Sequence, residues 1–273
     1  QDGPAYVTGG SSGLGFALAA ELLKAGAPVV LFARDAERLD RAVASLSAIG
    51  SKSQLHSEVA DVSSYDSLNA AFHRAISQVG PPRTLLHTAG FAEPDYFEAI
   101  TAERYRRQLE TNLTGTWNAL QLAVRAMRAQ SERPCHILTV SSLAGVIPVF
   151  GYTAYGATKF GVYGLSLTLR QELYREGIYV SVLAPGDMDT PGLLAEATTK
   201  PPETRALAGN KPLDPGKVAP YALKKLYRRQ PVIVPTLKAR MELFFYRVAP
   251  RLGERIMLRM TQGVTRGRKI HTQ

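Results

Sequence analysis

Ala5-Tyr6-Val7-Thr8-Gly9-Gly10-Ser11-Ser12-Gly13-Leu14-Gly15 is the stretch that decides the fold. A short apolar run, 5–8, ends in glycines, and a helical pattern over 16–25 follows and stops at Gly26. Glycine permits positive φ and lets a phosphate approach the backbone closely. A helix start adds unpaired N–H groups and the positive end of the dipole. Gly9, Ser11, Ser12, Gly13, Leu14 and Gly15 are therefore candidates for holding the pyrophosphate of a dinucleotide. Their spacing, Gly9-x3-Gly13-x-Gly15, departs from G-x-G-x-x-G. Glycines alone would mean only a tight turn; set between a strand and a helix at the head of the chain, they point to nucleotide binding.

Outward from this turn, strands and helices alternate. Apolar strand patterns cover 28–33, 54–59, 84–88, 136–141 and 179–183, and helical patterns cover 36–49, 64–79, 102–130 and 155–175. This order implies an α/β fold: a Rossmann-type doubly wound parallel sheet with helices on both faces. Arg34 closes the second strand, where an acid would accept from a ribose 2′-hydroxyl and an arginine favours a 2′-phosphate. Arg38, one helical turn on, reinforces that charge, so NADPH is expected over NADH. Asp61 and Val62 follow the third strand and are placed to frame an adenine, or to cap a helix.

The chain has 273 residues, 45% of them hydrophobic, which excludes a disordered chain. With one cysteine, Cys135, no internal disulfide can form, as in a reducing compartment. No metal site is expected. No apolar run is long enough to cross a membrane, and residues 1–5 carry no signal-peptide pattern. The first strand begins almost at once, so a segment before Gln1, with room for a membrane anchor, is expected to be missing. The net charge of +10 is concentrated: Lys224 to Lys269 contains thirteen Lys/Arg against Glu242 and Glu254, and the remainder carries 20 basic and 21 acidic residues. The composition thus divides into a domain at 1–222, with a substrate loop at about 187–212, and a basic amphipathic C-terminal helical appendage at 223–273.

Tyr155 and Lys159, four apart at a helix start, share a face. A nearby ammonium stabilises a phenolate and lowers its pKa from the usual value of about 10, which makes tyrosine a usable acid or base. Ser142, at a strand end, is placed to hold a carbonyl oxygen. By themselves Tyr155 and Lys159 also fit a surface pair.

Together they resemble the short-chain dehydrogenase/reductase family over nearly all of residues 4–222. The matching pieces are TGGSSGLG at 8–15, Asp61-Val62, Ala89-Gly90, Asn112, the Ser142, Tyr155 and Lys159 set, and Pro185-Gly186. The resemblance implies hydride delivery from NADPH to a carbonyl carbon, with Tyr155 donating the proton and Ser142 polarising the oxygen. It implies that Lys159 holds the nicotinamide ribose and tunes Tyr155, and that Asn112 positions a water linking Lys159 to solvent. Ala89 and Gly90 join the cofactor set, and Pro185, Gly186, Met188 and Thr190 hold its nicotinamide end. His87 stands where the family carries asparagine, and is read as an interior histidine rather than a catalytic one.

FGYTAYGATKFGVYGL (150–165), DMDTPG (187–192) and TKPPETRALAG (199–209) are similar to the 3-ketodihydrosphingosine reductases within that family. This implies a lipophilic keto substrate in sphingolipid metabolism. Two alternatives stay open: reduction of another lipophilic carbonyl (β-ketoacyl, steroid or retinal-type), and an NADPH-binding protein without catalysis. In the tail, Thr236 is a candidate N-cap, and Leu237, Met241, Phe244, Phe245 and Val248 follow one helical face until Pro250 breaks it. Ile256, Met257 and Met260 make a second apolar patch among arginines. A basic amphipathic helix suits an anionic membrane surface, so peripheral attachment on the cytoplasmic side is expected: the endoplasmic reticulum in a eukaryote, the inner membrane or cytoplasm in a bacterium. No motif or aromatic platform favours nucleic acid. A homodimer or homotetramer follows from the resemblance alone.

Overall fold

The computed structural model describes residues 3–49, 54–131, 133–207 and 211–265. Its centre is a seven-stranded parallel sheet in the order β3-β2-β1-β4-β5-β6-β7. The strands are β1 (Ala5–Thr8), β2 (Val29–Ala33), β3 (Leu55–Val59), β4 (Thr84–His87), β5 (Cys135–Val140), β6 (Ile178–Leu183) and β7 (Val232–Ile233). Ala5 pairs with Val29 on one side and Thr84 on the other. The chain order reverses between β1 and β4, which opens a crevice at the carboxyl ends of these strands.

Alternation along each buried strand sends neighbouring side chains into opposite layers. Val7, Leu31 and Leu86 face α1 (Gly13–Lys24), α2 (Ala36–Leu46) and α9 (Pro215–Tyr227). Tyr6, Phe32, Leu85 and Ile137 face α3 (Tyr65–Val79), α5 (Gly115–Arg128) and α6 (Thr153–Leu173). Tyr6, Phe32 and Phe72 form an aromatic cluster with ring centres 5.1–5.3 Å apart. Helix starts are set by local chemistry: Asp35 and Ser64 each accept a backbone N–H of the first turn they cap.

The strands and helices read from sequence are present to within a few residues, with three differences. Residues 102–130 are not one helical run: α4 (Ala102–Leu109) passes through a π-turn, Glu110–Thr114, into α5. β7 is only two residues long, too short for a periodic pattern to show. The division at 222/223 falls inside α9, whose Ala222 and Leu223 are buried against the α1 layer. The change in charge lies on the solvated face of that helix, while its apolar face runs on unbroken.

Two short helices, α7 (Pro191–Glu196) and α8 (Pro202–Leu207), occupy the expected substrate loop. Thr236 caps α10 (Leu237–Val248), accepting from Ala239 N at 3.2 Å, and α11 starts at Pro250 (Pro250–Thr265). α11 packs on both α10 and α8. Ala208 and Gly209 of the loop, and the basic residues Arg266, Arg268 and Lys269, lie outside the described residues. Among the described residues, no helix is long and apolar enough to cross a membrane.

Candidate active site

One cavity of about 910 Å³ lies at the carboxyl ends of the strands. It is lined by the glycine-rich turn, the ends of β2 to β5, the start of α6, the α7–α8 loop and residues of α10 and α11. That volume is at the upper end of the range for small-molecule sites, room for more than one ligand group.

The turn is shaped for close approach. Gly9 and Gly13 adopt φ of +71° and +54°. A Cβ on Gly9 would come within 2.8 Å of Ala89 N, and one on Gly15 within 2.4 Å of the Gly9 carbonyl oxygen. Ser12 is the N-cap of α1 but its side chain makes no capping bond, so the first N–H groups of the helix are left open to a ligand. Ser11, Ser12, Leu14, Arg34 and Arg38 line the same cavity. Arg34 is exposed; Arg38 pairs with Asp35 at 3.3 Å across a solvated surface. Asp61 lines the cavity and also orders its own turn, accepting from Ser63 N at 2.9 Å and Ser63 Oγ at 2.7 Å. Val62 packs against Gly115, where a Cβ would meet its Cγ2 at 2.7 Å.

The Ser142, Tyr155 and Lys159 side chains come together where β5 ends and α6 begins. Ser142 N-caps a short 3-10 turn, accepting from Ala144 N at 3.1 Å, and its hydroxyl reaches that of Tyr155. Lys159 Nζ is buried 5.6 Å from the Tyr155 ring centre and donates to Val140 O at 2.9 Å. Burial pushes the Lys159 pKa down to about 8. Burial, with the charge of Glu196 second, pushes Tyr155 well above the ordinary phenol value, while its bond to Ser142 opposes them. Desolvation and a nearby carboxylate thus set the direction of the Tyr155 shift, neither of which the four-residue spacing to Lys159 shows. Tyr155 stands as a neutral phenol.

Asn112 differs from the other site residues. It is fully buried behind Gly90, where a Cβ would lie 3.1 Å from Asn112 Oδ1 and 3.2 Å from Lys159 Nζ. Its carboxamide accepts from Phe91 N at 3.0 Å and donates to Phe91 O and to Thr158 Oγ1. It thus clamps the loop after β4 to α6, and the π-turn is what brings it inward. Ala89 and Gly90 form the cavity wall in front of it. His87 is buried, bonds Thr8 Oγ1 at 2.8 Å, and is held neutral with a pKa near 3 by burial first and the Lys159 charge second.

On the remaining side, Pro185 and Gly186 lead into Asp187 and Met188, which pair with Leu213 in a parallel bridge. Thr190 caps α7, and a Cβ on Gly13 would come within 3.0 Å of its Cγ2, so this loop meets the glycine turn. Spacing alone did not reveal one further group. Tyr152, Asp187, Glu196 and Lys200 form a polar cluster on the cavity wall, and Lys200 belongs to the 199–209 stretch. Charged residues in a loop were the available signal, but nothing in a linear pattern pairs them.

Residues 4–200 match the short chain dehydrogenase family. Among curated proteins, the chain is 37% identical to a 3-dehydrosphinganine reductase of Arabidopsis thaliana, over 75% of this chain and 61% of that protein. It is 36% identical to a 3-dehydrosphinganine reductase of Danio rerio, over 74% of this chain and 61% of that one. The chain thus spans about 61% of the length of these relatives. Among solved structures, the apo form of LigD from Sphingobium matches with a TM-score of 0.77 at 30% identity, covering 91% of this chain and 96% of that one. An actinorhodin polyketide ketoreductase variant with NADPH matches with a TM-score of 0.74 at 25% identity, over 85% and 95% of the two chains. The cavity at the β1/β4 switch point, the glycine turn that lines it and these matches lead to one assignment: the chain belongs to the short-chain dehydrogenase family.

Proposed function

We propose that this chain reduces the 3-keto group of 3-ketodihydrosphingosine to dihydrosphingosine with NADPH. The observation that carries the reading is a single cavity holding both the open helix start at the glycine turn and a neutral Tyr155 beside Ser142 and buried Lys159. The names of the curated relatives supply the substrate. The residues fit the cofactor: side chains are absent where a pyrophosphate would meet the backbone, and Arg34 and Arg38 stand where a 2′-phosphate would lie.

When bound, NADPH supplies the hydride. Gly9, Ser11, Ser12, Gly13, Leu14 and Gly15 would hold its pyrophosphate, Asp61 and Val62 would frame the adenine, and Ala89 and Gly90 would form the wall beside them. Pro185, Gly186, Met188 and Thr190 would hold the nicotinamide end. Tyr155, neutral at working pH, gives its proton to the substrate oxygen, and Ser142 orients and polarises that oxygen. The phenolate left on Tyr155 is stabilised by the Lys159 ammonium, which also holds the ribose hydroxyls. Asn112 fixes the wall behind Lys159 and orders a water linking that lysine to solvent.

The chain also sits on a membrane surface through α10 and α11. Leu237, Met241, Phe244 and Val248 are each at least 63% exposed, an apolar stripe with no cover from the body, flanked by basic residues. Trp117 on α5 and Phe160 on α6 are exposed as well, and they support pairing of two copies through these helices into a dimer or tetramer. The experiment is product analysis. Mass spectrometry should find dihydrosphingosine formed from 3-ketodihydrosphingosine and NADPH in detergent micelles, and its absence would reject the assignment. A reductase of another lipophilic ketone is the second reading, favoured by the likeness to the polyketide ketoreductase.

A further inference from the structure

Tyr155 sets where the carbonyl oxygen must lie, and the charged groups beside it decide what else the substrate head carries. The Tyr152 ring packs 5.3 Å from the Tyr155 ring, and its hydroxyl donates a 2.6 Å hydrogen bond to Glu196 Oε2. Lys200 Nζ lies 3.1 Å from Asp187 Oδ2 and 3.7 Å from Glu196 Oε2, and 5.5 Å from the centre of the Tyr152 ring. Lys200 is 8% exposed, Glu196 15% and Asp187 34%. One ammonium therefore serves two carboxylates in a largely desolvated wall.

The reduction does not use this excess negative charge; it opposes it. Among the charges acting on Tyr155, Glu196 is the largest and Asp187 the next, and both hold its proton on. A neutral ketone would leave that penalty in place at the step where Tyr155 must give the proton up. A substrate carrying its own cation next to the carbonyl would neutralise the carboxylates and relieve Tyr155 together. Resting on the reductase reading above, we propose that Glu196 and Asp187 form an ammonium subsite that takes an amino group on the carbon beside the reacting carbonyl, so that the cavity selects long-chain 2-amino-3-ketones over neutral ketones. Tyr152 and Lys200 are the positioning residues of this subsite. Tyr152 fixes the Glu196 carboxylate by its hydrogen bond, and Lys200 keeps the two acids close enough to act together.

The test compares kcat/KM for 3-ketodihydrosphingosine with that for its N-acetyl derivative, in wild type, Glu196→Gln and Glu196→Asp. The chain and carbonyl are the same in both substrates; acetylation removes the cation and adds an acetyl group, whose bulk is the same for every variant and so cancels when the preferences are compared. Wild type should prefer the free amine, and that preference should fall by at least about 30-fold in Glu196→Gln, chiefly through KM. Glu196→Asp, which keeps the charge, should restore most of it. Unaltered NADPH affinity by fluorescence titration reports that each variant is folded. A second arm uses dodecylammonium and dodecanol as competitors against a neutral β-keto ester: the ammonium should be the stronger inhibitor of wild type and lose that advantage in Glu196→Gln. A preference that stays within twofold of wild type in Glu196→Gln overturns the subsite and leaves the reductase reading standing. A wild type that reduces neither lipid overturns the reductase reading, and calorimetric titration of the two competitors into the protein then decides the subsite independently, equal affinity for amine and alcohol rejecting it.

Discussion

Lys159 donates a 2.9 Å hydrogen bond to the carbonyl of Val140, the last residue of β5. This bond pins the ammonium between the sheet and the start of α6, close to Gly90, where a Cβ would lie 3.2 Å from Nζ. Desolvation there brings the Lys159 pKa to about 8. The ammonium is the form that stabilises the phenolate left by proton transfer, so kcat/KM for ketone reduction should be level below pH 8 and decline above it. A profile flat to pH 10 would contradict this. The sign for stability is opposite. Lys159 holds fewer protons folded than unfolded, so its contribution to stability increases with pH between about 8 and the ordinary lysine value.

Tyr155→Phe removes the proton donor and keeps the ring. Turnover should fall by about 10²–10⁴-fold, with NADPH affinity retained in a fluorescence titration. Full activity in this variant would show that another group donates the proton.

Arg34 is exposed at the end of β2 and lines the cavity, whereas Arg38 is held by Asp35. Arg34→Ala should weaken NADPH by about 10–100-fold, the worth of a charge-assisted phosphate contact or more. NADH affinity should change little. Equal weakening of both cofactors would remove Arg34 from the 2′-phosphate site.

Gly15→Ala puts a methyl 2.4 Å from the Gly9 carbonyl oxygen and 2.5 Å from Thr88 Oγ1. The first neighbour belongs to the turn that receives the pyrophosphate, and the second to the start of the loop after β4. The variant should lose NADPH binding while the far-UV circular dichroism of the sheet and helices is kept. Normal binding would mean that the turn can open without cost.

On the membrane face, Met241→Asp with Phe244→Asp replaces two exposed apolar side chains of α10, 63% and 68% accessible. Cosedimentation with anionic vesicles should fall at least about tenfold, since each side chain entering the interface contributes of the order of 1 kcal/mol or more. Undiminished binding would reassign the stripe to a protein contact.

Much of this molecule was readable in its sequence because its signals are local. The turn at Gly9 to Gly15 depends on adjacent residues, Tyr155 and Lys159 on one helical turn, and the cap at Thr236 on three positions. What stayed hidden depends on distant parts meeting. The π-turn that swings Asn112 inward has no period of its own. Tyr152 and Glu196 are 44 positions apart, and only the folding of α7 beside α6 joins them. The high pKa of Tyr155 follows from burial and from that carboxylate, neither of which the four-residue spacing to Lys159 shows. Likewise, α11 reads as part of a separate basic tail until it is seen packed on α8, with Ile256, Met257 and Met260 lining the cavity.

The most direct measurement is the initial rate of NADPH oxidation with purified protein and 3-ketodihydrosphingosine in detergent micelles, run beside NADH and a soluble β-keto ester. A 3-ketodihydrosphingosine reductase with Arg34 at the 2′-phosphate site should turn over the lipid rapidly with NADPH and slowly with NADH, and should reduce the ester weakly. Rapid turnover of the ester with none of the lipid would contradict it.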